Sequence, residues 1–103
     1  MACWDILGKV SCLSVNTLLG GNFNCDGVPM YRAISQSSPS AMADMVKKYS
    51  EEYHRFQLKL GGDPDTDISR IVSCREMLKP GMVLVGDSNT GWTSHQVRDV
   101  NNF

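Results

Sequence analysis

Apolar residues recur with two different spacings along this chain, and the spacings predict which segments form helices and strands. In the opening stretch "MACWDILGKV" they lie three or four residues apart, which predicts a helix. Its apolar face consists of Cys3, Ile6, Leu7 and Val10. In "VPMYRAIS" and "RFQLKLGG" apolar residues alternate with other residues, which predicts strands over 28–35 and 55–62. The short apolar run "MVLVGD", residues 82–87, predicts a third strand.

Capping signals predict a helix after each of these strands. Ser38-Pro39 and Asp63-Pro64 each combine an N-cap residue with proline at the first helical position. The helical spacing of the apolar residues that follow predicts one helix over 39–53 and a second that ends at Pro80-Gly81. Thr93 is the N-cap of a third predicted helix near the end of the chain.

The predicted order is therefore one helix, a loop over residues 22–27, and three β-α units. Strands that alternate with helices pair in parallel through right-handed crossovers. The predicted fold class is α/β, as part of a (β/α)8 TIM-type barrel. Residues 1–27 would lead into the barrel, and residues 28–103 would form its first three β-α units. Because a three-stranded parallel sheet has open edges, we expect self-association through them.

Composition and charge disfavour several classes of function. The chain has 10 basic and 11 acidic residues and a net charge of −1, which offers no electrostatic support for binding nucleic acid or an anionic membrane. The sequence has no apolar run of about 18 residues that could span a membrane, and its start lacks the pattern of a signal peptide. These features predict a cytoplasmic protein.

The four cysteines show no metal-binding spacing. Cys3, Cys12, Cys25 and Cys74 include no Cys-x-x-Cys pair, so a zinc knuckle is not expected. We expect reduced thiols that are mostly packed in the interior.

Polar residues that could carry chemistry follow the predicted strands, at the carboxyl ends where parallel α/β folds collect function. Gln57 and Lys59 end the second strand, and Asp87 ends the third. Asn89 and Trp92 follow Asp87 and are expected near the substrate or metal. A carboxylate beside an amide suits Mg²⁺, and a lysine near such a metal could abstract a proton next to a carboxylate. Each residue also has an ordinary interpretation: Asp87 as a turn residue, Lys59 on a solvated strand face, and Trp92 in packing.

Five stretches taken together resemble the enolase superfamily. "ACWDILGK", "LLGG", "VPMYRAIS", "FQLKLGGDPDTDI" and "VLVGDSNTGW" occur in the order and spacing of its mandelate racemase and muconate-lactonizing branch, over essentially the whole chain. Within that branch, "YRAISQSSP" with "FQLKLGGDPDTDI" is most similar to hydroxyproline-betaine epimerases and cis-3-hydroxyproline dehydratases. Each stretch alone is a weak signal, whereas the combination is specific.

The resemblance implies a capping domain and a modified (β/α)8 barrel that binds Mg²⁺ through three carboxylates at successive strand ends. It implies that Lys59 is the base that faces the α-carbon of the substrate, that Asp87 is the first metal carboxylate, and that Asn89 is the polar residue beside it. Gln57 stands where the family's Lys-x-Lys motif has its first lysine, which removes a positive charge that helps the base release its proton. The implied substrate is a small carboxylate, with proline derivatives as the indicated class, and the reaction is racemisation, epimerisation or dehydration.

The resemblance also implies that this chain is a fragment. Most of the capping domain and the family's second and third metal carboxylates would lie outside it, so the fragment alone is expected to be inactive. Asp63, Asp65 and Asp67 begin the second predicted helix, where acids favour the helix dipole, and are not expected to replace those ligands. The alternative function is a non-catalytic small α/β binding or interaction module.

Overall fold

The computed structural model describes residues 1–21 and 27–102. Within these ranges, eight helices and strands follow one another along the chain. They are α1 (Ala2–Ser11), α2 (Val15–Leu18), β1 (Arg32–Ile34), α3 (Pro39–Tyr49), β2 (Arg55–Lys59), α4 (Pro64–Glu76), β3 (Val83–Asp87) and α5 (Ser94–Asn101). The three predicted β-α units are confirmed, whereas two helices, α1 and α2, stand where one helix was predicted before them.

The three strands form one parallel sheet in the order β1-β2-β3. Arg32 pairs with Phe56 at the start of the first ladder, and Lys59 pairs with Asp87 at the end of the second. Parallel strands joined by helical crossovers confirm the α/β fold class and its barrel-type β-α units.

The predicted first strand is too long. Only Arg32–Ile34 of residues 28–35 are in the strand, whereas Val28 and Met30 are 78% and 70% exposed. The ladder between β1 and β2 begins with the pair Arg32 and Phe56, and the residues before Arg32 are not paired in it. The loop predicted over 22–27 lies outside the described residues except for Gly27.

The first helix of the β-α units also ends earlier than residue 53. Its last residue is Tyr49, and both the backbone N–H and the hydroxyl of Ser50 donate hydrogen bonds to the carbonyl of Lys47. The three predicted N-caps are confirmed, because Ser38, Asp63 and Thr93 each accept a hydrogen bond from a backbone N–H in the first turn.

The core lies between one face of the sheet and helices α3 and α4. Its buried side chains come from the strand side and from both helices: Ile34, Met42, Val46, Phe56, Leu58, Leu60 and Cys74. Alternation along β2 directs Phe56 and Leu58 into this core and leaves Gln57 and Lys59 on the opposite face. The predicted two-sided pattern of this strand is therefore confirmed.

The cysteines differ from the expectation of mostly packed thiols. Cys74 is fully buried, and burial raises the pKa of its thiol to about 11. Cys3 lies in α1 and Cys12 directly follows it, and both are free but exposed, because α1 buries few of its residues. Cys25 lies outside the described residues. No helix in the described ranges is both long enough and apolar enough to cross a membrane.

Among the described residues, helix α1 and one face of the sheet both expose apolar side chains. Helix α1 presents Ile6 and Val10, which are 60% and 78% exposed. The sheet face opposite the core presents Val83 and Val85, which are 44% and 51% exposed. These surfaces and the outer edges of β1 and β3 could contact a second copy of the chain, so self-association stays a prediction.

We predict that the 103-residue chain self-associates, because association would remove these apolar surfaces from water. Its apparent mass in light scattering should rise with protein concentration. Val85→Lys should weaken association, since it places a charge on the exposed sheet face, whereas Asn101→Lys adds the same charge at an exposed polar position and should not. A monomer at every concentration, together with a cooperative melt, would contradict the prediction.

Candidate metal and proton-transfer site

The register of β2 and β3 brings the predicted lysine and carboxylate together. Lys59 and Asp87 are paired residues at the carboxyl ends of these adjacent strands, and their side chains project from the sheet face opposite the core. Lys59 Nζ lies 2.6 Å from Asp87 Oδ2, and Gln57 Nε2 donates a hydrogen bond of 3.0 Å to the same oxygen. The side chains of Lys59 and Asp87 are 39% and 26% exposed, so the pair remains open to solvent.

The other oxygen of the carboxylate is held by the loop that follows β3. The backbone N–H of Asn89 donates to Asp87 Oδ1 at 3.1 Å. The hydrogen bond from Lys59, followed by that from the Asn89 N–H, holds the pKa of Asp87 below its usual range. Asp87 is therefore ionised at neutral pH, as a metal ligand must be.

The turn after Asp87 has an unusual backbone. Asn89 and Thr90 have φ values of 44° and 68°, in the left-handed region that asparagine tolerates and β-branched threonine rarely adopts. Such strain persists only where surrounding contacts enforce it, and it collects at functional loops.

The loops after β2 and β3 meet at backbone level. Gly61 has a φ of 103°, and an added Cβ there would overlap the carbonyl oxygen of Ser88. An added Cβ at Gly91 would overlap the carbonyl oxygen of Gly61. The loop beside Lys59 and the loop beside Asp87 therefore lie in direct contact, and this contact requires glycine at both positions.

Trp92, predicted near the substrate or metal, makes its polar contact elsewhere. Its indole N–H donates to Asp67 Oδ2 at 3.0 Å, and its ring packs partly buried against the core. The structure therefore assigns Trp92 a packing and hydrogen-bonding contact, while its role toward a substrate stays a prediction.

Asp67 is the residue of this region that sequence reasoning missed. It was predicted only to favour the dipole of α4, yet its side chain is fully buried and contacts two loops and Arg70. Burial alone raises its pKa, but the Arg70 guanidinium and the N–H groups of Gly61, Gly62 and Trp92 outweigh it and lower the pKa overall. The sequence signal was an acid in the first turn of a helix with an arginine three residues later.

The donor set fits one ligand of a hard metal ion but not a whole site. Mg²⁺ prefers carboxylate and other oxygen ligands, and Asp87 supplies one carboxylate at the strand ends. Across residues 1–21 and 27–102, no group of three or more His, Cys, Asp or Glu side chains could hold a metal ion. An open cavity of about 290 Å³ lies on the same sheet face, nearer the strand starts, and its lining includes Gln57 and Val85 but neither Lys59 nor Asp87.

No protein-family model matches the chain, whereas curated relatives and solved structures that resemble it are related enzymes. The chain is 50% identical over 101 residues to cis-3-hydroxy-L-proline dehydratase of Roseibium aggregatum, a match over 97% of this chain and 27% of that enzyme. It is 30% identical to N-succinyl-L-Arg/Lys racemase of Bacillus cereus, over 89% of this chain and 25% of that enzyme.

Two solved structures from Roseovarius nubinhibens have the same fold over nearly the whole chain. A mandelate racemase/muconate lactonizing enzyme is 37% identical with a TM-score of 0.78, over 96% of this chain and 28% of that one. An enolase-superfamily member complexed with magnesium is 36% identical with a TM-score of 0.80, over 99% and 28%.

The chain belongs to the enolase superfamily. Its relatives within that superfamily include racemases and dehydratases of the mandelate racemase/muconate lactonizing branch, and solved members carry magnesium. The chain spans about a quarter of the length of the curated relatives that it matches. The family recognised from the five stretches of sequence is confirmed, whereas the roles of Lys59, Gln57, Asp87, Asn89 and Trp92 stay predictions.

Proposed function

We propose that this chain supplies the base and the first metal carboxylate of a Mg²⁺-dependent enolase-superfamily enzyme that removes the α-proton of a carboxylate substrate. The observation that carries the proposal is the 2.6 Å contact between Lys59 Nζ and Asp87 Oδ2 at the ends of adjacent parallel strands. A base and a metal ligand must lie close together if the base is to reach the α-carbon of a substrate whose carboxylate binds the metal.

In the proposed reaction, Lys59 Nζ in its neutral form takes the proton from the α-carbon, and the electron pair of the broken C–H bond delocalises into the substrate carboxylate. When bound, Mg²⁺ would supply positive charge near the developing negative charge. Asp87 would occupy one coordination position of the metal. Gln57 would keep the Asp87 carboxylate oriented through its hydrogen bond to Oδ2. Gln57 is neutral and does not add a second positive charge beside the base.

The proposed substrate class is a proline derivative that carries a free carboxylate. The support is the 50% identity to an enzyme named for cis-3-hydroxy-L-proline. Return of a proton to the opposite face would give epimerisation, whereas departure of a hydroxyl from the neighbouring carbon would give dehydration. We propose a whole protein that completes the metal site and the substrate pocket around this chain, and that acts in the cytoplasm.

The second candidate is a non-catalytic α/β module in which Lys59 and Asp87 form only an ion pair at the end of the sheet. The observation that favours it is the lack of a three-ligand metal cluster among the described residues. The exposed apolar face of α1 would then serve a partner protein.

A graft tests the proposal directly. The 101-residue segment of the Roseibium aggregatum dehydratase that matches this chain is replaced by the chain, so that the host provides the rest of the protein. We expect the grafted enzyme to dehydrate cis-3-hydroxy-L-proline and to lose that activity on addition of EDTA. A second graft of residues 55–92 alone transfers β2, β3 and their loops with fewer new contacts.

The outcomes separate the two candidates. A grafted enzyme that melts cooperatively and binds Mg²⁺, yet neither dehydrates the substrate nor exchanges its α-proton in deuterium oxide, would support the non-catalytic module. Activity in either graft supports the catalytic role of the segment.

A further inference from the structure

One buried carboxylate connects the loops that carry the candidate site. We propose that Asp67 is a positioning residue, which touches no substrate but fixes the ends of β2 and β3 so that Lys59 and Asp87 keep their separation. The catalytic part of this inference rests on the proposed function, whereas the connection between the loops does not.

The first connection is to the loop that follows Lys59. Asp67 Oδ2 accepts hydrogen bonds of 2.9 Å from the backbone N–H groups of both Gly61 and Gly62. These glycines lie two and three residues after the proposed base. Because charge-assisted hydrogen bonds to backbone N–H groups are strong, they fix the direction in which the chain leaves β2.

The second connection is to the loop that follows Asp87. The indole N–H of Trp92 donates to the same Oδ2 atom, although Trp92 lies 25 residues further along the chain. Three donors from two loops thus converge on one oxygen. Since Gly61 and Gly91 leave no room between the backbones of these loops, a shift in one loop must displace the other.

The third connection runs through Arg70 to the loop that follows β1. Arg70 Nη1 lies 2.6 Å from Asp67 Oδ1, and Arg70 Nε donates to the carbonyl oxygen of Ser37 at 2.7 Å. Asp67 is fully buried and the side chain of Arg70 is 14% exposed, so this ion pair is shielded from water. The loops after all three described strands therefore depend on one carboxylate.

The charge of Asp67 is essential to this arrangement. Asparagine has the same size, but it offers one acceptor oxygen and one NH₂ donor group. If its oxygen faces the three N–H donors, its NH₂ group faces the Arg70 guanidinium, and the reverse orientation loses all three donors. Asp67→Asn therefore breaks at least one connection without creating a cavity.

Hydrogen exchange of the 103-residue chain tests the connection without any activity. We expect the Gly61 and Gly62 amides and the Trp92 indole N–H to exchange faster in Asp67→Asn than in the unmodified chain. Asp65→Asn is the matched control, because it removes the same charge from an exposed position in the first turn of α4. Equal exchange in the two variants would overturn the inference.

The grafted enzyme tests the consequence for the reaction. A displacement of about 1 Å at a reacting group can cost about 100-fold in rate, so we expect kcat to fall about 10- to 100-fold in Asp67→Asn and to change little in Asp65→Asn. The pH dependence of kcat/KM should keep its shape, because Asp67 exchanges no proton with the substrate. A purely structural role would lower the melting temperature and leave kcat per folded molecule unchanged, which would overturn the positioning role.

Trp92→Phe is the second variant if Asp67→Asn does not fold. It keeps an aromatic ring and removes one hydrogen bond, so Gly61 and Gly62 should exchange faster and kcat should fall by a smaller factor. Unchanged exchange and unchanged kcat would contradict the inference. If the unmodified graft melts cooperatively and binds Mg²⁺ but is inactive, the proposed function fails, and the exchange measurements still decide whether Asp67 holds the loops.

Discussion

Replacing Lys59 by alanine in the grafted enzyme should lower kcat by about 10²- to 10⁴-fold, the usual contribution of a general base. The proposed reaction needs a neutral amine at the end of β2, and alanine offers no proton acceptor. Mg²⁺ affinity should not fall, because Lys59 Nζ now occupies an oxygen of Asp87 that a metal ion could use. Steady-state kinetics, α-proton exchange in deuterium oxide and Mg²⁺ titration measure the three quantities.

Two further variants test whether Lys59 acts as a base or only as the ion-pair partner of Asp87. Lys59→Arg keeps the positive charge beside Asp87, but a guanidinium does not release its proton at neutral pH, so kcat should remain as low as in the alanine variant. Lys79→Ala is the matched control, because Lys79 also pairs with a carboxylate, Glu51, at the opposite end of the sheet. Recovery of activity by Lys59→Arg would show that Lys59 acts through its charge alone.

Asp87→Asn should lower the affinity of the grafted enzyme for Mg²⁺ by about 100-fold or more. Loss of a residue that only supports a metal ligand already costs about 10- to 100-fold, and loss of a direct ligand should cost at least as much. Asparagine keeps the size and one oxygen of the side chain but removes its charge. Calorimetric titration with Mg²⁺ measures the change, and activity should fall with metal occupancy.

The pH dependence of Mg²⁺ binding adds an internal check. Lys59 and the Asn89 N–H hold the pKa of Asp87 below its usual range, so Asp87 should remain ionised until the pH falls below the pKa of an ordinary carboxyl group.

Glu51→Gln is the matched control for Asp87→Asn, since it neutralises a carboxylate that pairs with a different lysine, Lys79. Equal affinities for Mg²⁺ in Asp87→Asn, Glu51→Gln and the unmodified graft would contradict the assignment of Asp87 as a ligand.

Local sequence patterns correctly predicted where α3, α4, α5 and β2 begin. They extended three elements too far, because α3 ends at Tyr49, α4 at Glu76 and β2 at Lys59. The alternation in β2 correctly separated Phe56 and Leu58, which are at most 1% exposed, from Gln57 and Lys59 on the other face. The N-caps were predictable because a cap involves a side chain and a backbone N–H only three residues away. The same kind of pattern failed at residues 28–31, since strand formation there also requires a partner strand.

The candidate site was predictable only in part. The end of each strand could be located from the sequence, and the carboxyl ends of parallel strands lie at the same edge of a sheet. Lys59 and Asp87 were therefore predicted to be neighbours. Their contact joins residues 28 apart, and it follows from a register that no local pattern contains. Asp67 was missed because its partners in the loops come from both sides of it, as far away as Trp92.

The sequence by itself determined the helices, the two faces of β2, the residues available at each strand end and the resemblance to the enolase superfamily. These depend on spacing, capping and composition, which act over a few residues. Only the tertiary structure decided that Lys59 and Gln57 share one oxygen of Asp87, and that Asp67 joins the loops around them. Hydrogen bonds of this kind depend on the register of strands and the close approach of loops, and both arise only when the whole sheet is assembled.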